Sequence, residues 1–391
     1  MKINYKLATT TWDAAEYKSI LRVIKSKNFT MGSEVAIYEK QFADFFNKKF
    51  AVMVNSGSSA NLLMIASLFY RKSNPLKEGD EIIVPSVSWS TTYMPLQQYK
   101  LKVKFIDIDL HTLNYNLDAL SKAIGPNTKA IIAVNLLGNP NNFNVIKQII
   151  DNKNILLLED NCESMGAKFH GQYTGAIGLM GTFSSFYSHH ISTMEGGMII
   201  TDDEELYQIM LSLRAHGWTR NLPKNNLLTG IKSDNLFEES YKFILPGYNL
   251  RPLELSGAIG QEQLKKLNTI VENRRNNAFT FKQIISKYDW LIPQQEIGES
   301  SWFGFSLIVN QKSSITRQKL INSFHSTKIE YRPIVAGNFA KNSVIKYFDS
   351  VINEKLENAD YIDRNGLFIG NHHYDLTKEF GFLIKALNKI K

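Results

Sequence analysis

Residues 50–69 read Phe-Ala-Val-Met-Val-Asn-Ser-Gly-Ser-Ser-Ala-Asn-Leu-Leu-Met-Ile-Ala-Ser-Leu-Phe. A five-residue apolar run, Phe50–Val54, meets a turn of small polar residues, after which Leu62, Leu63, Ile65, Ala66 and Phe69 recur at helical spacing. The run predicts a buried strand and the recurrence a covering helix. The same succession follows four more times, with strand candidates at Glu81–Val84, Val103–Ile108, Ala130–Val134 and Ile155–Leu158. Continuously apolar strands that alternate with helices predict an α/β fold with a mainly parallel or mixed sheet and helices on both faces. Two further runs, Thr182–Tyr187 and Gly197–Thr201, extend the sheet before a helix that starts near Asp203.

Upstream, Val35, Tyr38, Phe42, Phe45 and Phe46 mark an amphipathic helix expected at the sheet's edge. Downstream, residues 217–250 lose periodicity and are rich in Asn, Lys, Gly and Pro, too long for an idle loop and so expected to form a functional arm. A helical stretch from Leu253 to about Ile285 leads to strand candidates Phe303–Ile308 and Ile329–Tyr331 and a helix near 377–390. The expected organisation is a large domain over 1–250, arm included, and a smaller C-terminal α/β domain over 251–391.

The 391 residues carry 45 Lys and Arg against 37 Asp and Glu, a formal charge of +8, but the basic residues are scattered. Phosphorylated small molecules fit this better than nucleic acid, for which no basic stripe exists. The N-terminal residues show no apolar core of a signal peptide and no window approaches ~18 consecutive apolar residues, so neither membrane nor export is expected and the default compartment is the cytoplasm. The single Cys162 excludes an internal disulfide and a four-thiolate iron–sulfur cluster held by this chain alone. No metal site is expected.

Ligands of open α/β sheets bind beyond the carboxyl ends of the strands. Residues 55–61, Asn-Ser-Gly-Ser-Ser-Ala-Asn, place Gly57 and Ser58 at a helix N-terminus, where free N–H groups favour phosphate; alone, such a turn also fits an ordinary cap. Trp89 fits either a core aromatic or a platform for a heteroaromatic ring. After the fifth strand comes Glu159-Asp160-Asn161-Cys162-Glu163, and a carboxylate there asks for a cation, such as a protonated ring nitrogen beside Asp160. An anion cradle, a ring stack and an acid beside a pyridine nitrogen are together the demands of pyridoxal phosphate.

The fourth strand end, residues 182–197, reads TFSSFYSHHISTMEGG. It resembles the sugar aminotransferase family of the aspartate aminotransferase fold, whose matching segment is approximately Ser-Phe-x-x-x-Lys-Asn-Ile-x-x-Gly-Glu-Gly-Gly. Aligned on Glu195-Gly196-Gly197, the family's Schiff-base lysine falls on His189, and no lysine lies between Lys168 and Lys224. Histidine-bearing members are sugar-nucleotide 3-dehydratases, and the likeness extends to WSTTY at 89–93, NLLGNPNNF at 135–143, RAHGWTRNLPK at 214–224, GESSWFGFS at 298–306 and RPIVAGNF at 332–339. The resemblance implies phosphate contacts from Gly57, Ser58 and Ser184, stacking by Trp89, ring-nitrogen pairing by Asp160, Glu163 nearby, and Asn249 reaching the phosphate of a partner subunit, so that a homodimer shares its active sites.

Imidazole forms no stable Schiff base but suits proton transfer near neutrality. His189 as the catalytic group therefore implies a cofactor held without a covalent bond and working as pyridoxamine phosphate. The reaction that the resemblance implies is removal of the C3 hydroxyl from GDP-4-keto-6-deoxy-D-mannose, a step of GDP-colitose formation, with ammonia released and L-glutamate restoring the amine. His216 at the base of the arm is a candidate substrate contact, and Arg251 and Arg332 are candidates for the diphosphate or the glutamate carboxylate. Three other readings stay open: a sugar-nucleotide aminotransferase, a CDP-linked 3-dehydratase served by a separate reductase, and a non-catalytic cofactor-binding regulator.

Overall fold

Asp13 caps the first helix. Its carboxylate accepts the Ala15 amide at 2.8 Å while Glu16 accepts the Asp13 N–H at 2.8 Å, a reciprocal cap that starts α1 (Ala14–Ser26). Apolar periodicity does not announce this helix, because Tyr17, Leu21 and Ile24 lie exposed on its surface. The computed structural model describes residues 3–390.

The helix expected around Phe42 follows as α2 (Ser33–Phe45). Next come β1 (Phe50–Val54), α3 (Gly57–Leu68), β2 (Glu81–Pro85), α4 (Ser90–Gln98), β3 (Lys102–Ile106), α5 (Leu117–Ala123), β4 (Thr128–Val134), α6 (Phe143–Ile150) and β5 (Leu156–Asp160). Then follow the short β6 (Lys168–Phe169) and β7 (Gln172–Tyr173), β8 (Met180–Ser184), β9 (Gly197–Thr201) and α7 (Glu204–Arg214), which Asp203 caps. The arm contains β10 (Asn225–Asn226), β11 (Gly230–Ile231) and α8 (Leu236–Glu239). The rest comprises α9 (Glu254–Ile285), β12 (Leu291–Ile292), β13 (Gly304–Val309), α10 (Arg317–Thr327), β14 (Tyr331–Arg332), β15 (Ser350–Ile352), α11 (Glu357–Asn365), β16 (Gly366–Gly370) and α12 (Thr377–Asn388).

The large sheet runs β1-β9-β8-β5-β4-β2-β3-β15. Only β9 runs against the others, pairing antiparallel with both β1 and β8, so the sheet is mixed but dominated by parallel pairs. Both faces are covered, as alternation along the strands shows: Val52, Val54, Ala130 and Ile132 enter one apolar cluster, whereas Ala51 and Met53 enter a second and Ile131 and Ala133 a third. The small sheet, β12-β13-β16-β14, is antiparallel throughout and is packed by Phe324 of α10 and Leu383 of α12. The 32-residue α9 serves both regions: Leu264 and Leu267 pack with the α2 side of the large sheet, Phe281 and Ile285 with the small one.

Two strand ends differ from the sequence expectation in ways that matter. β5 extends to Asp160, so that carboxylate sits on the strand's last residue. β8 stops at Ser184, because the Ser185 hydroxyl closes on Thr193 at 2.6 Å and ties off the loop that carries His189. Residues 217–250, aperiodic in sequence, contain the β10–β11 hairpin and the single turn of α8, and they leave Phe237 88% and Leu236 81% exposed. Among the described residues no helix is long and apolar enough to cross a membrane.

Candidate active site

Gly57 is where three strand ends meet. A Cβ added there would stand 2.6 Å from Ser184 Cβ and 3.1 Å from Cys162 Sγ, so only glycine lets the start of α3 approach the ends of β5 and β8 this closely. Ser56 caps α3 by accepting the Ser59 amide at 3.1 Å, which leaves the exposed Ser58 to hydrogen-bond Thr91 Oγ1 at 3.1 Å. Glycines 196 and 197 complete the close approach: a Cβ on Gly197 would lie 2.2 Å from the Ser56 carbonyl oxygen. The result is a helix N-terminus with open N–H groups, walled by the buried Ser184, suited to a phosphate.

Asp160 is 5% exposed. Its Oδ2 accepts from Asn61 Nδ2 at 2.8 Å and Thr92 Oγ1 at 2.7 Å, and its Oδ1 from the Cys162 amide at 3.2 Å. All three donors are neutral, so a buried carboxylate stands here without a cation. A protonated ring nitrogen would supply that charge. Trp89, 58% exposed at the start of α4, offers the flat surface beside it rather than a core side chain. These donors and surfaces fit pyridoxal phosphate, and among the described residues no cluster of His, Cys, Asp and Glu is arranged to hold a metal ion.

Alternation along β5 separates the two adjacent carboxylates. Glu159 points to the opposite side, fully buried, where it accepts the amides of Gly175, Ile177 and Gly178 at 2.6 to 2.7 Å. It therefore anchors a loop, and the strand-end pair resolves into one structural and one site residue. Glu163 lies on the site side, accepting the Leu137 amide at 3.0 Å, and burial followed by the charge of Asp160 pushes its carboxyl up to about 7.

His189 is half-buried in the loop after β8. Its ring stands 5.1 Å from that of Phe303 and 6.0 Å, edge-on, from that of Phe186. Nδ1 is buried with no partner. Burial and then the charge of Arg274 push the imidazole down to about 4, so it is neutral and able to accept a proton at pH 7. His190 turns the other way, fully buried, with Nε2 against the Ser301 carbonyl at 3.0 Å.

The remaining candidates lie at the arm's base or on the small sheet. His216, at φ +62°, places its ring 4.7 Å from that of Trp218, and Arg251 lies over the same indole at 5.8 Å. Arg251 Nε donates to Asn249 Oδ1 at 3.0 Å, and Asn249 is exposed, while Leu250 next to it accepts the Asn55 amide at 3.0 Å. Arg332, exposed at the end of β14, donates to the Tyr331 carbonyl at 2.8 Å; its register partner Phe368 lies 6.5 Å, ring to ring, from Phe303.

Sequence reasoning missed Asn61, Thr92, Phe303 and Arg274. Asn61, Thr92 and Phe303 stand inside quoted motifs, the first two findable as donors near the small-residue turn and Trp89; Arg274 lies in none, and only the fold brings residues 274 and 303 to residue 189.

The family model for DegT/DnrJ/EryC1/StrS aminotransferases matches residues 11–380. The chain belongs to that family. It is similar to a GDP-4-keto-6-deoxy-D-mannose 3-dehydratase of Escherichia coli O55:H7, 60% identical over 386 residues, 98% of this chain and 100% of the relative. Among solved structures it is similar to the E. coli GDP-4-keto-6-deoxy-D-mannose 3-dehydratase with bound hydrated PLP, at a TM-score of 0.98, 60% identity and coverage of 99% of this chain and 100% of the other. A second structure of a GDP-4-keto-6-deoxymannose 3-dehydratase, holding a trapped PLP–glutamate geminal diamine, matches at a TM-score of 0.97 and 60% identity over 98% of this chain and 100% of the other.

Proposed function

We propose that this protein removes the C3 hydroxyl of GDP-4-keto-6-deoxy-D-mannose, yielding the 3,6-dideoxy-4-keto sugar nucleotide, and restores its cofactor with L-glutamate. The observation that carries the reading is His189, a neutral imidazole with an unpartnered Nδ1 in the loop that follows Ser184, where the family pattern has a lysine. Full-length likeness to 3-dehydratases at 60% identity supports the same substrate.

When bound, pyridoxamine phosphate supplies the amine that condenses with the C4 ketone and the ring that takes up negative charge. The chain's own residues do the rest. The N–H groups at Gly57 and Ser58, with Ser184, hold the phosphate; Trp89 covers a ring face; Asp160 keeps the ring nitrogen protonated. His189 holds and moves the proton. With Nδ1 buried, exchange falls to Nε2, which accepts a proton and returns it to the departing C3 oxygen, a contribution of roughly 10²–10⁴-fold. Glu163, its carboxyl pushed up to about 7, is about half protonated at neutral pH, which lessens its repulsion of Asp160.

We further infer a homodimer in which Asn249 completes the partner's phosphate site. Support comes from the exposed apolar arm, with Leu236 and Phe237 uncovered, and from Asn249, whose exposed side chain accepts from Arg251. His216, Arg251 and Arg332 remain the proposed contacts of the sugar nucleotide or glutamate.

Product analysis with the GDP-sugar, pyridoxal phosphate and glutamate tests the reaction. Removing the hydroxyl consumes the two electrons and the nitrogen that glutamate replaces, so ammonia and 2-oxoglutarate should appear in a ratio near one, with a nitrogen-free 3-deoxy sugar and no added reductase. An amino sugar with negligible ammonia overturns the reading in favour of an aminotransferase; a requirement for external electrons overturns it in favour of a reductase-coupled dehydratase.

A further inference from the structure

Arg274 lies on α9, outside every motif of the site, and is 3% exposed. Burying a guanidinium is costly unless a carboxylate meets it. None of the ion pairs among the described residues includes Arg274, whereas its neighbour Arg275 meets Glu299 at 3.3 Å. Arg274 Nη1 instead donates to the Phe303 carbonyl at 3.0 Å and the Trp302 carbonyl at 3.4 Å, and its Nε is buried without a partner.

Those two carbonyls belong to a strained turn. Trp302 has φ +48°, and it faces Leu137 at φ +51° and Gly138 at φ +94°, where a Cβ would lie 2.4 Å from the Trp302 nitrogen. Such backbone persists only where its surroundings over-determine it. Here the Ser301 amide donates to Gly138 at 2.9 Å, the Phe303 amide to Leu137 at 3.0 Å, Asn371 Nδ2 to the Trp302 carbonyl at 2.9 Å, and His190 Nε2 faces the Ser301 carbonyl. The product of the clamp is the Phe303 ring, set 5.1 Å from His189.

Neutral donors would suffice to hold carbonyls, as Asn371 shows. A cation adds a field. The groups that face it are His189 and His190 on the β8 loop, Arg275 with Glu299, and His372 and His373 after β16; Glu163 is held at Leu137, one bond further along the clamp. We propose that Arg274 is a positioning residue of the site: through the Trp302 and Phe303 carbonyls it sets the Phe303 ring against His189. This rests on the reading of His189 as the proton carrier. Burial, the larger cause, and then the charge of Arg274 lower the imidazole, while the Phe186 backbone raises it.

The test pairs kinetics with histidine NMR titration of the cofactor-loaded full chain, the His189 resonance being assigned by its loss in His189→Asn. Arg274→Met and Arg274→Gln remove the group that holds the two carbonyls; each should move the His189 resonances, as the Phe303 ring shifts, and lower kcat at least about tenfold while KM for the sugar nucleotide stays near the parent's. Arg274→Lys keeps the charge and loses the guanidinium, so it should show the same two changes. A folded, cofactor-binding Met or Gln variant with a parental kcat and parental His189 resonances overturns the inference. If neither folds, Arg274→Lys decides: a parental kcat overturns the positioning role, and a lowered kcat at a parental KM supports it. Turnover by His189→Asn would instead overturn the functional reading, which the titration does not depend on.

Discussion

A Cβ on Gly57 would stand 2.6 Å from the Cβ of Ser184, closer than two side chains can come. Gly57→Ala should therefore force the first turn of α3 away from the ends of β5 and β8. The expected cost is about 1–3 kcal/mol of stability together with a clear loss of cofactor affinity. Thermal unfolding without cofactor and a fluorescence titration with pyridoxal phosphate measure the two effects, and unchanged affinity would remove Gly57 from the phosphate cradle.

Asp160→Asn separates folding from function. The buried carboxylate has only neutral donors from Asn61, Thr92 and the Cys162 amide, so losing its charge should change the cofactor-free protein's stability by no more than about 1 kcal/mol. Turnover should fall by roughly 10² or more, because nothing else present pairs with the ring nitrogen. Equal stability with full turnover would break the assignment.

His189→Asn should fold, bind pyridoxal phosphate and lose dehydration by about 10²-fold or more. Borohydride treatment of the parent should leave no pyridoxyl group on any lysine, since none lies between Lys168 and Lys224. Peptide mass mapping that finds such an adduct would contradict a non-covalent cofactor.

Glu163 makes stability of the cofactor-free protein depend on pH in the direction opposite to an ion-paired carboxylate. Its folded carboxyl is raised to about 7 from an ordinary 4.5, so between these values the folded state holds a proton that the unfolded state has lost. Its contribution is full below about 4.5 and is lost as pH rises to 7, amounting to ~1–3 kcal/mol. Glu163→Gln should abolish this loss, so the variant's stability relative to the parent should grow across that window in denaturant melts. A difference that is flat with pH would place Glu163 in a more solvated setting.

Hybrid dimers test the shared site. Inactive His189→Asn protein mixed with an inactive Asn249→Ala variant should regain activity, since one of the two sites in a hybrid would carry both native residues. Proven subunit exchange without recovery would return Asn249 to its own chain.

Much of this was legible in the order of residues along the chain. Apolar runs at Phe50–Val54 and Gly197–Thr201 coincide with β1 and β9, and helical spacing after them located α3 and α7, because local periodicity and burial share one cause. The small-residue turn at 55–61, Trp89 and Asp160 were readable as candidates, since each lies within a few residues of a strand end, and His189 as the position where the resemblance puts a lysine. Other features were decided by tertiary structure alone. Local sequence cannot state that β9 runs antiparallel, that β15 joins the large sheet's edge, or that Glu159 and Asp160 face opposite sides. Nor can it place Arg274 behind Phe303 and Phe303 beside His189, residues up to 114 positions apart that meet only because α9 spans both sheets. The charge and shape that tune a proton carrier come from what packs around it, and packing between distant segments is settled by the whole fold.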